Sequence, residues 1–336
     1  MQRTLPLLCL TAWGTSFLIQ PVAAQDDRAF SYSGEFEIGI EATTDADDPD
    51  AEISDLFYSA EIEIDFPIGM HTSFFSELSF ESVIDPEENR AFEDLGLYIG
   101  EIGFAYDLGD VTLRLGKFAP AFGSAWDTAP GYFGADLADE YELEEMIGLS
   151  VEIERGDGLL TLSAFYPDDS RLSDSWGTRR GRNTPQDGGV GNTGRLDNVA
   201  LQYDHELDAT TLHLGLRHLS RGEEDSNENA VAVGLTHAFT EDMYVIAEVA
   251  HFNGWEGSSG SAVISTLGAS LERGPITYSA AASFLDVSDG DTDHLISLGL
   301  DYALKNGMVL SAGYARTREE GEDADNFAIS LIVPFD

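Results

Sequence analysis

The stretch Asp55-Leu56-Phe57-Tyr58-Ser59-Ala60-Glu61-Ile62-Glu63-Ile64-Asp65-Phe66 decides the fold. Leu56, Tyr58, Ala60, Ile62, Ile64 and Phe66 share one parity, while Asp55, Ser59, Glu61, Glu63 and Asp65 share the other. Extended chain puts alternate residues on opposite faces, so this segment has one oily face and one acidic face. The same alternation sets Val111, Leu113 and Leu115 against Thr112, Arg114 and Gly116, and Val199, Leu201 and Tyr203 against Asn198, Gln202 and Asp204. It returns in Phe327, Ile329, Leu331, Val333 and Phe335. No amphipathic helix of ordinary length interrupts it.

Working outward, sixteen candidate strands begin near residues 30, 53, 70, 94, 111, 147, 159, 197, 210, 229, 243, 263, 276, 294, 308 and 326. Their connections alternate. Seven are tight, among them Gly109-Asp110, Gly156-Asp157-Gly158 and Gly274-Pro275, and eight are longer, mostly acidic or glycine-rich. Short turns on one side and long loops on the other are the mark of a transmembrane barrel whose turns face the periplasm. An even strand number then leaves both termini periplasmic.

Oily-parity aromatics cluster at both strand ends. Tyr32, Phe66, Tyr106, Tyr203, Phe239, Tyr278, Tyr302 and Phe335 lie at the short-turn end, and Tyr58, Phe80, Tyr98, Tyr166, Phe284 and Tyr314 at the long-loop end. Two such girdles are expected where a barrel crosses the two membrane interfaces. A soluble β-sandwich also alternates but explains neither the girdles nor the loop rhythm. The expected fold is therefore all-β: a transmembrane antiparallel β-barrel of sixteen strands.

Composition fits once the faces are assigned. The 336 residues carry 62 Asp and Glu against 17 Lys and Arg, a net charge of −45, beside 43% hydrophobic residues. Such acidity argues against nucleic acid as a partner, because phosphate binding needs dense Lys and Arg. Residues 1–24 read as a secretory signal peptide: Arg3, an apolar run from Leu5 to Ile19, then small residues Val22-Ala23-Ala24. The only cysteine, Cys9, falls within that leader, which excludes disulfides, zinc thiolates and thiol nucleophiles from the remainder. Residues 25–336 read as a single barrel domain.

A sixteen-stranded barrel is too wide for side chains to fill, so it encloses an aqueous channel unless a segment folds inward. The third long loop, residues 118–146, is the candidate. It holds Trp126, Pro130, Tyr132 and Phe133, suited to packing, and the carboxylates Asp127, Asp136, Asp139, Glu140, Glu142, Glu144 and Glu145, with no base among them. Lumen-parity Glu61, Glu63, Glu77, Glu101, Glu152, Glu154 and Glu248 add to the negative charge. Arg114 and Arg217 share that parity and are expected either to oppose the loop across the pore or to pair with neighbouring carboxylates. A ring of carboxylates in a narrow passage attracts cations, so weak cation selectivity is expected.

The strand end Leu113-Arg114-Leu115-Gly116-Lys117-Phe118-Ala119-Pro120-Ala121-Phe122-Gly123 resembles that of phosphate-selective-type and siderophore-type members of the Gram-negative outer-membrane porin superfamily. The following Ala125-Trp126-Asp127-Thr128-Ala129-Pro130-Gly131 and Glu140-Tyr141-Glu142-Leu143 are similar to uncharacterised porin-like proteins. The resemblance implies a channel for passive diffusion of small hydrophilic solutes and ions, a constricting third loop and a homotrimer. It permits a substrate-specific channel, for a siderophore or another defined ligand. Phosphate selectivity is not carried over, because a phosphate pore wants Lys and Arg where this loop is acidic.

The fourth long loop, residues 167–195, holds Arg171, Arg179, Arg180, Arg182 and Arg195. It can dock on the acidic third loop or on lipopolysaccharide phosphates, or remain solvated. Asp289-Gly290-Asp291-Thr292-Asp293 has a calcium-loop flavour but lacks the terminal bidentate Glu, so no defined metal site is expected. No Gly-x-Ser-x-Gly or phosphate-binding glycine loop is present, and His205-Glu206 begins a zinc-protease pattern that Ala209 ends. Neither enzymatic activity nor a cofactor is expected, although a closed barrel acting as an enzyme or adhesin is a further alternative. The expected partners are outer-membrane lipid and lipopolysaccharide, with small solutes and cations in the lumen.

Overall fold

In the computed structural model residues 30–336 are described, apart from Asp289 and Asp291. The leader read at residues 1–24 and two aspartates of the calcium-like loop lie outside the described residues.

Sixteen long strands form one closed antiparallel barrel. They are β1 (Ser31–Thr44), β2 (Ser54–Pro67), β3 (Thr72–Ser82), β4 (Leu95–Asp107), β5 (Val111–Phe118), β6 (Met146–Arg155), β7 (Gly158–Pro167) and β8 (Asn198–Leu207). The second half is β9 (Thr210–Leu219), β10 (Glu228–Thr240), β11 (Met243–Asn253), β12 (Ser261–Arg273), β13 (Ile276–Val287), β14 (Thr292–Ala303), β15 (Val309–Glu319) and β16 (Glu322–Phe335). Each strand pairs with its sequence neighbours, and β1 closes the ring on β16 from Gly34 opposite Phe335 to Thr44 opposite Asp325. Every expected strand is present, each starting within four residues of the position read from the sequence.

Closure leaves two gaps near the long-loop end, and loops fill them. β2 pairs with β3 only from Ala60 onward, so Arg90–Ala91 runs parallel beside Asp55 and Leu56. β5 ends at Phe118, which leaves the start of β4 unpaired on that side until Trp176–Gly177 docks antiparallel on Leu97 and Gly96. Both segments satisfy backbone groups that an open strand edge would expose.

The oily face points outward. Leu115, Leu267 and Ile329 are 62%, 61% and 57% exposed, and comparable Leu, Val and Ile side chains recur around the ring. A belt of that extent needs an apolar solvent, which a bilayer supplies. Aromatic contacts mark its edges: Tyr32 meets Phe335 at 6.5 Å, Tyr58 meets Phe80 at 6.1 Å and Tyr314 meets Phe327 at 5.1 Å between ring centroids.

Two expectations fail locally. Tyr98, read as an outer-girdle residue, is 8% exposed, donates to the Glu81 carboxylate and lies 4.1 Å beneath the Arg180 guanidinium. The cause is a bulge in β4, where Glu77 pairs with Glu101 but Leu78 pairs with Ile99. One extra residue inverts the parity beyond it. The eighth long connection is not a loop: β15 reaches Glu319 and β16 starts at Glu322, leaving Glu320 and Gly321 as a two-residue turn with φ of 50° and 87°. Positive φ at both central positions matches the right-handed twist of the flanking strands.

Candidate pore constriction

After Phe118 the chain turns into the barrel instead of continuing outward. Glu101 on β4 takes the first amide of the loop, Ala119, at 2.9 Å, and Gln202 on β8 takes that of Gly123 at 3.1 Å. Glu248 on β11 then accepts from the amide and hydroxyl of Ser124, each at 2.8 Å, and from the Ala125 amide at 3.1 Å. Its other oxygen also takes the Tyr141 hydroxyl. Farther along, the Tyr132 hydroxyl donates to Glu41 on β1 at 2.6 Å. The loop is thereby tied from β4 across β8 and β11 to β1.

The wall behind the loop is lined by small residues. A Cβ at Gly215 would stand 3.0 Å from the Gly123 nitrogen, one at Gly299 3.0 Å from the Gly131 Cα, and one at Gly313 2.6 Å from the Tyr132 Cβ. Gly234 faces Ser124 and Gly268 faces Pro130 in the same way. This glycine row on β9, β10, β12, β14 and β15 is a bed for the loop backbone, because only a residue without Cβ admits so close an approach.

Packing reinforces the bed. Phe122 and Tyr141 contact Phe252 of β11 at 6.2 and 5.8 Å between centroids, and Phe252 contacts Trp255 at 4.7 Å. Arg217 of β9 lies 4.8 Å from the Phe122 ring and 4.9 Å from the Phe252 ring. Its guanidinium donates to Glu228 at 2.6 and 2.9 Å and to the Tyr141 carbonyl at 2.6 Å. Glu228 in turn accepts from the Glu256 amide at 3.1 Å.

Arg217 thus takes the paired alternative, with Glu228, while Glu248, expected among the lumen carboxylates, caps the loop instead. Neither faces the aqueous lumen: their side chains are buried, and both hold the loop against the wall. Arg114 does face the lumen, half-exposed over the Phe75 ring at 5.0 Å, and pairs loosely with Glu152 at 3.6 Å and Glu101 at 3.9 Å. No transverse pair of opposed bases results. The alternative reading, pairing with neighbouring carboxylates, is what the geometry gives.

The seven loop carboxylates separate into groups. Burial, with Glu144, Asp127 and Glu77 on β3 nearby, pushes Glu142 up to about 9, and burial, with Glu145 and Glu81 nearby, pushes Glu144 to about 7. Asp136 lies by Glu41 and Glu319, and burial raises it to about 8. Asp139 is raised well above the usual carboxylate range by burial, with Asp136 and Glu142 beside it, and among the described residues neither of its oxygens has a hydrogen-bond partner. Glu140 is exposed and turned toward Glu256 and Asp293 at the outer rim. Glu145 is structural, as shown below. Across from Asp127, Glu142 and Glu144, β2, β3, β4 and β6 bring Glu61, Glu63, Glu77, Glu101 and Glu152 to the inner face; Glu154 sits exposed at the turn end of β6.

Where the third loop rejoins the wall, it meets the arginine-rich loop. Lys117, buried, is 2.6 Å from Glu145 and 3.2 Å from Asp168. Arg180 donates to both Glu145 oxygens at 2.6 Å. One arginine therefore docks on the root of the acidic loop, while Arg179 pairs with Asp174 and Arg182 with the Asp169 carbonyl. Arg171 and Arg195 are exposed.

Sequence reading missed Gln202, Glu41, Tyr141, Glu228 and Lys117. The available signal was the run of Gly and Ala at lumen parity on β9 to β15, which marks the wall that the loop covers. His213 also faces inward, bonded to Asp204 at 2.7 Å. Among the described residues no group of three or more His, Cys, Asp or Glu is arranged to hold a metal ion.

No protein-family model and no curated protein sequence matches the chain. Solved structures do. An engineered variant of the porin of Rhodobacter blastica superposes with a TM-score of 0.62 at 18% identity, covering 91% of this chain and 100% of that one. The outer-membrane channel DcaP of Acinetobacter baumannii gives 0.66 at 10% identity, covering 91% and 97%. At such identities the likeness speaks for architecture, and the architecture is that of the Gram-negative outer-membrane porins, a closed barrel of sixteen antiparallel strands.

Proposed function

We propose that the chain is an outer-membrane porin through which small hydrophilic solutes and ions diffuse passively, with a weak preference for cations. The carrying observation is that both sides of the passage are acidic. Asp127, Glu142 and Glu144 on the loop stand near Glu77 on the wall, and Glu61, Glu63, Glu101 and Glu152 line the same face. Arg114 is half-exposed among them, and Lys117 and Arg217 are buried in ion pairs. In a narrow passage with low-dielectric walls, such a field concentrates cations and repels anions.

Lipid and lipopolysaccharide contacts, and assembly as a homotrimer, belong to the same proposal. Purified protein in a planar bilayer tests it. Steady single-channel current with a reversal potential displaced toward the cation potential in a salt gradient is expected. Absence of current points to a closed barrel, and an anion preference overturns the selectivity.

A further inference from the structure

At the outer mouth, between the end of the third loop and the arginine-rich loop, lies a cavity of about 510 Å³. Glu144, Glu145, Asp168, Arg180, Arg182 and Asp187 are among its lining residues. Most of these charges are already matched. Glu145 is shared by Lys117 and Arg180, Asp168 faces Lys117, and Asp187 accepts from the Thr184 amide and hydroxyl at 2.6 and 2.9 Å.

Two are not. Among the described residues the Glu144 carboxylate makes no direct hydrogen bond or ion pair, feeling Arg180 and Lys117 only at longer range, and its surface opens to the cavity. Among the described residues the Arg182 guanidinium donates only to the Asp169 carbonyl and has no carboxylate within ion-pair distance. One cavity thus presents one negative and one positive group without a direct ion-pair contact, held on separate loops that the Arg180 to Glu145 bond fastens together.

We propose that this cavity is a docking subsite for small zwitterionic solutes of the amino-acid type, with Glu144 receiving the ammonium and Arg182 the carboxylate. A solute carrying both charges satisfies both groups at once. A simple cation or anion satisfies one and leaves the other unmatched, and charge-assisted hydrogen bonds are the strong ones. The site lies between the end of the constricting loop and the arginine-rich loop, and the inference rests on the channel reading and supplies its solute class. Although its surface opens to the cavity, the protein packed around the carboxylate, with Glu145 and Glu81 nearby, holds Glu144 near 7, so the carboxylate is available to an ammonium above neutrality.

The test is calorimetric titration of the purified full chain in detergent micelles at about pH 8, where the probes carry their ordinary charges. The probes are ω-amino acids from β-alanine to 6-aminohexanoate, with butylamine and butyrate as single-charge controls. At least one amino acid is expected to bind about tenfold or more tightly than either control, the effect of one charged hydrogen bond. Glu144→Gln and Arg182→Gln each erase that margin, and Arg195→Gln, outside the cavity, retains it. Equal affinities for zwitterion and controls, or unchanged margins in both variants, overturn the proposal. Binding in micelles does not require conduction. A chain that conducts without binding sinks this inference alone, and one that binds without conducting sinks only the channel reading.

Discussion

Glu248 and Ser124, far apart in the chain, meet through two hydrogen bonds of 2.8 Å, from the serine amide and hydroxyl to a single carboxylate oxygen. The relationship fixes where the third loop crosses the barrel, because the same carboxylate also takes the Ala125 amide and the Tyr141 hydroxyl. Glu248→Ala removes the acceptor of four donors at once. Each charge-assisted bond is worth about 1.5–3 kcal/mol, so the loop is expected to lose its hold on β11 while the barrel survives. In single-channel records the variant should show larger and noisier open currents. Records matching those of the unmodified chain would mean that the loop is held elsewhere.

Arg217 and Glu228 form the second clamp, and their burial sets the magnitude. Arg217→Met strands the Glu228 carboxylate in a site where it is 1% exposed, a change that costs about 3–5 kcal/mol. The double variant Arg217→Met with Glu228→Gln removes the stranded charge and is expected to recover most of the loss. Denaturant midpoints in lipid vesicles check this, and a double variant no more stable than Arg217→Met contradicts it.

The glycine bed makes a steric prediction. Gly268→Val drives its side chain into the Pro130 ring, and a backbone-inlaid loop has nowhere to retreat but the lumen. Limited proteolysis should then cut within residues 119–145 at a rate at least several-fold higher than in the unmodified chain. Gly69→Val, at a turn where a Cβ meets nothing, is the control and should leave the digestion pattern unchanged.

How far the sequence carried is visible in particular residues. The strands were legible because lipid on one side and water on the other force strict alternation, and Leu113, Leu115, Ile329 and Leu331 obey it. Tyr98 was misread because a bulge adds one residue without any mark in the local pattern, and the parity of the residues on its N-terminal side, Tyr98 among them, is inverted relative to the rest of the strand. The short turn at Glu320-Gly321 was misread because Arg316 pairs with Asp323 and Asp325, so an acidic run that reads as loop is strand. That the third loop folds inward was legible from Pro130, Tyr132 and Phe133. Its points of attachment were not, since a Glu that lines a pore and a Glu that caps a buried turn look alike in sequence.

The remaining prediction concerns pH, and two consequences of one titration run in opposite directions. Glu142 and Glu144, pushed up to about 9 and about 7, gain their charge between neutrality and moderately alkaline pH. Cation preference is therefore expected to rise across that window and to fall as acid protonates the pair. Stability behaves inversely. A carboxylate that holds its proton more tightly in the docked loop than its ordinary 4.5 favours docking below that value, and the contribution is lost as pH climbs through the raised one. Asp136, raised to about 8, adds to the same slope. Reversal potentials and open-channel noise measured together from about pH 6 to about pH 10 should increase in parallel. The double variant Glu142→Gln with Glu144→Gln should flatten much of both. A reversal potential independent of pH in the unmodified chain would show that the loop carboxylates do not set the permeation charge, and would return that role to Glu61, Glu63 and Glu101 on the wall.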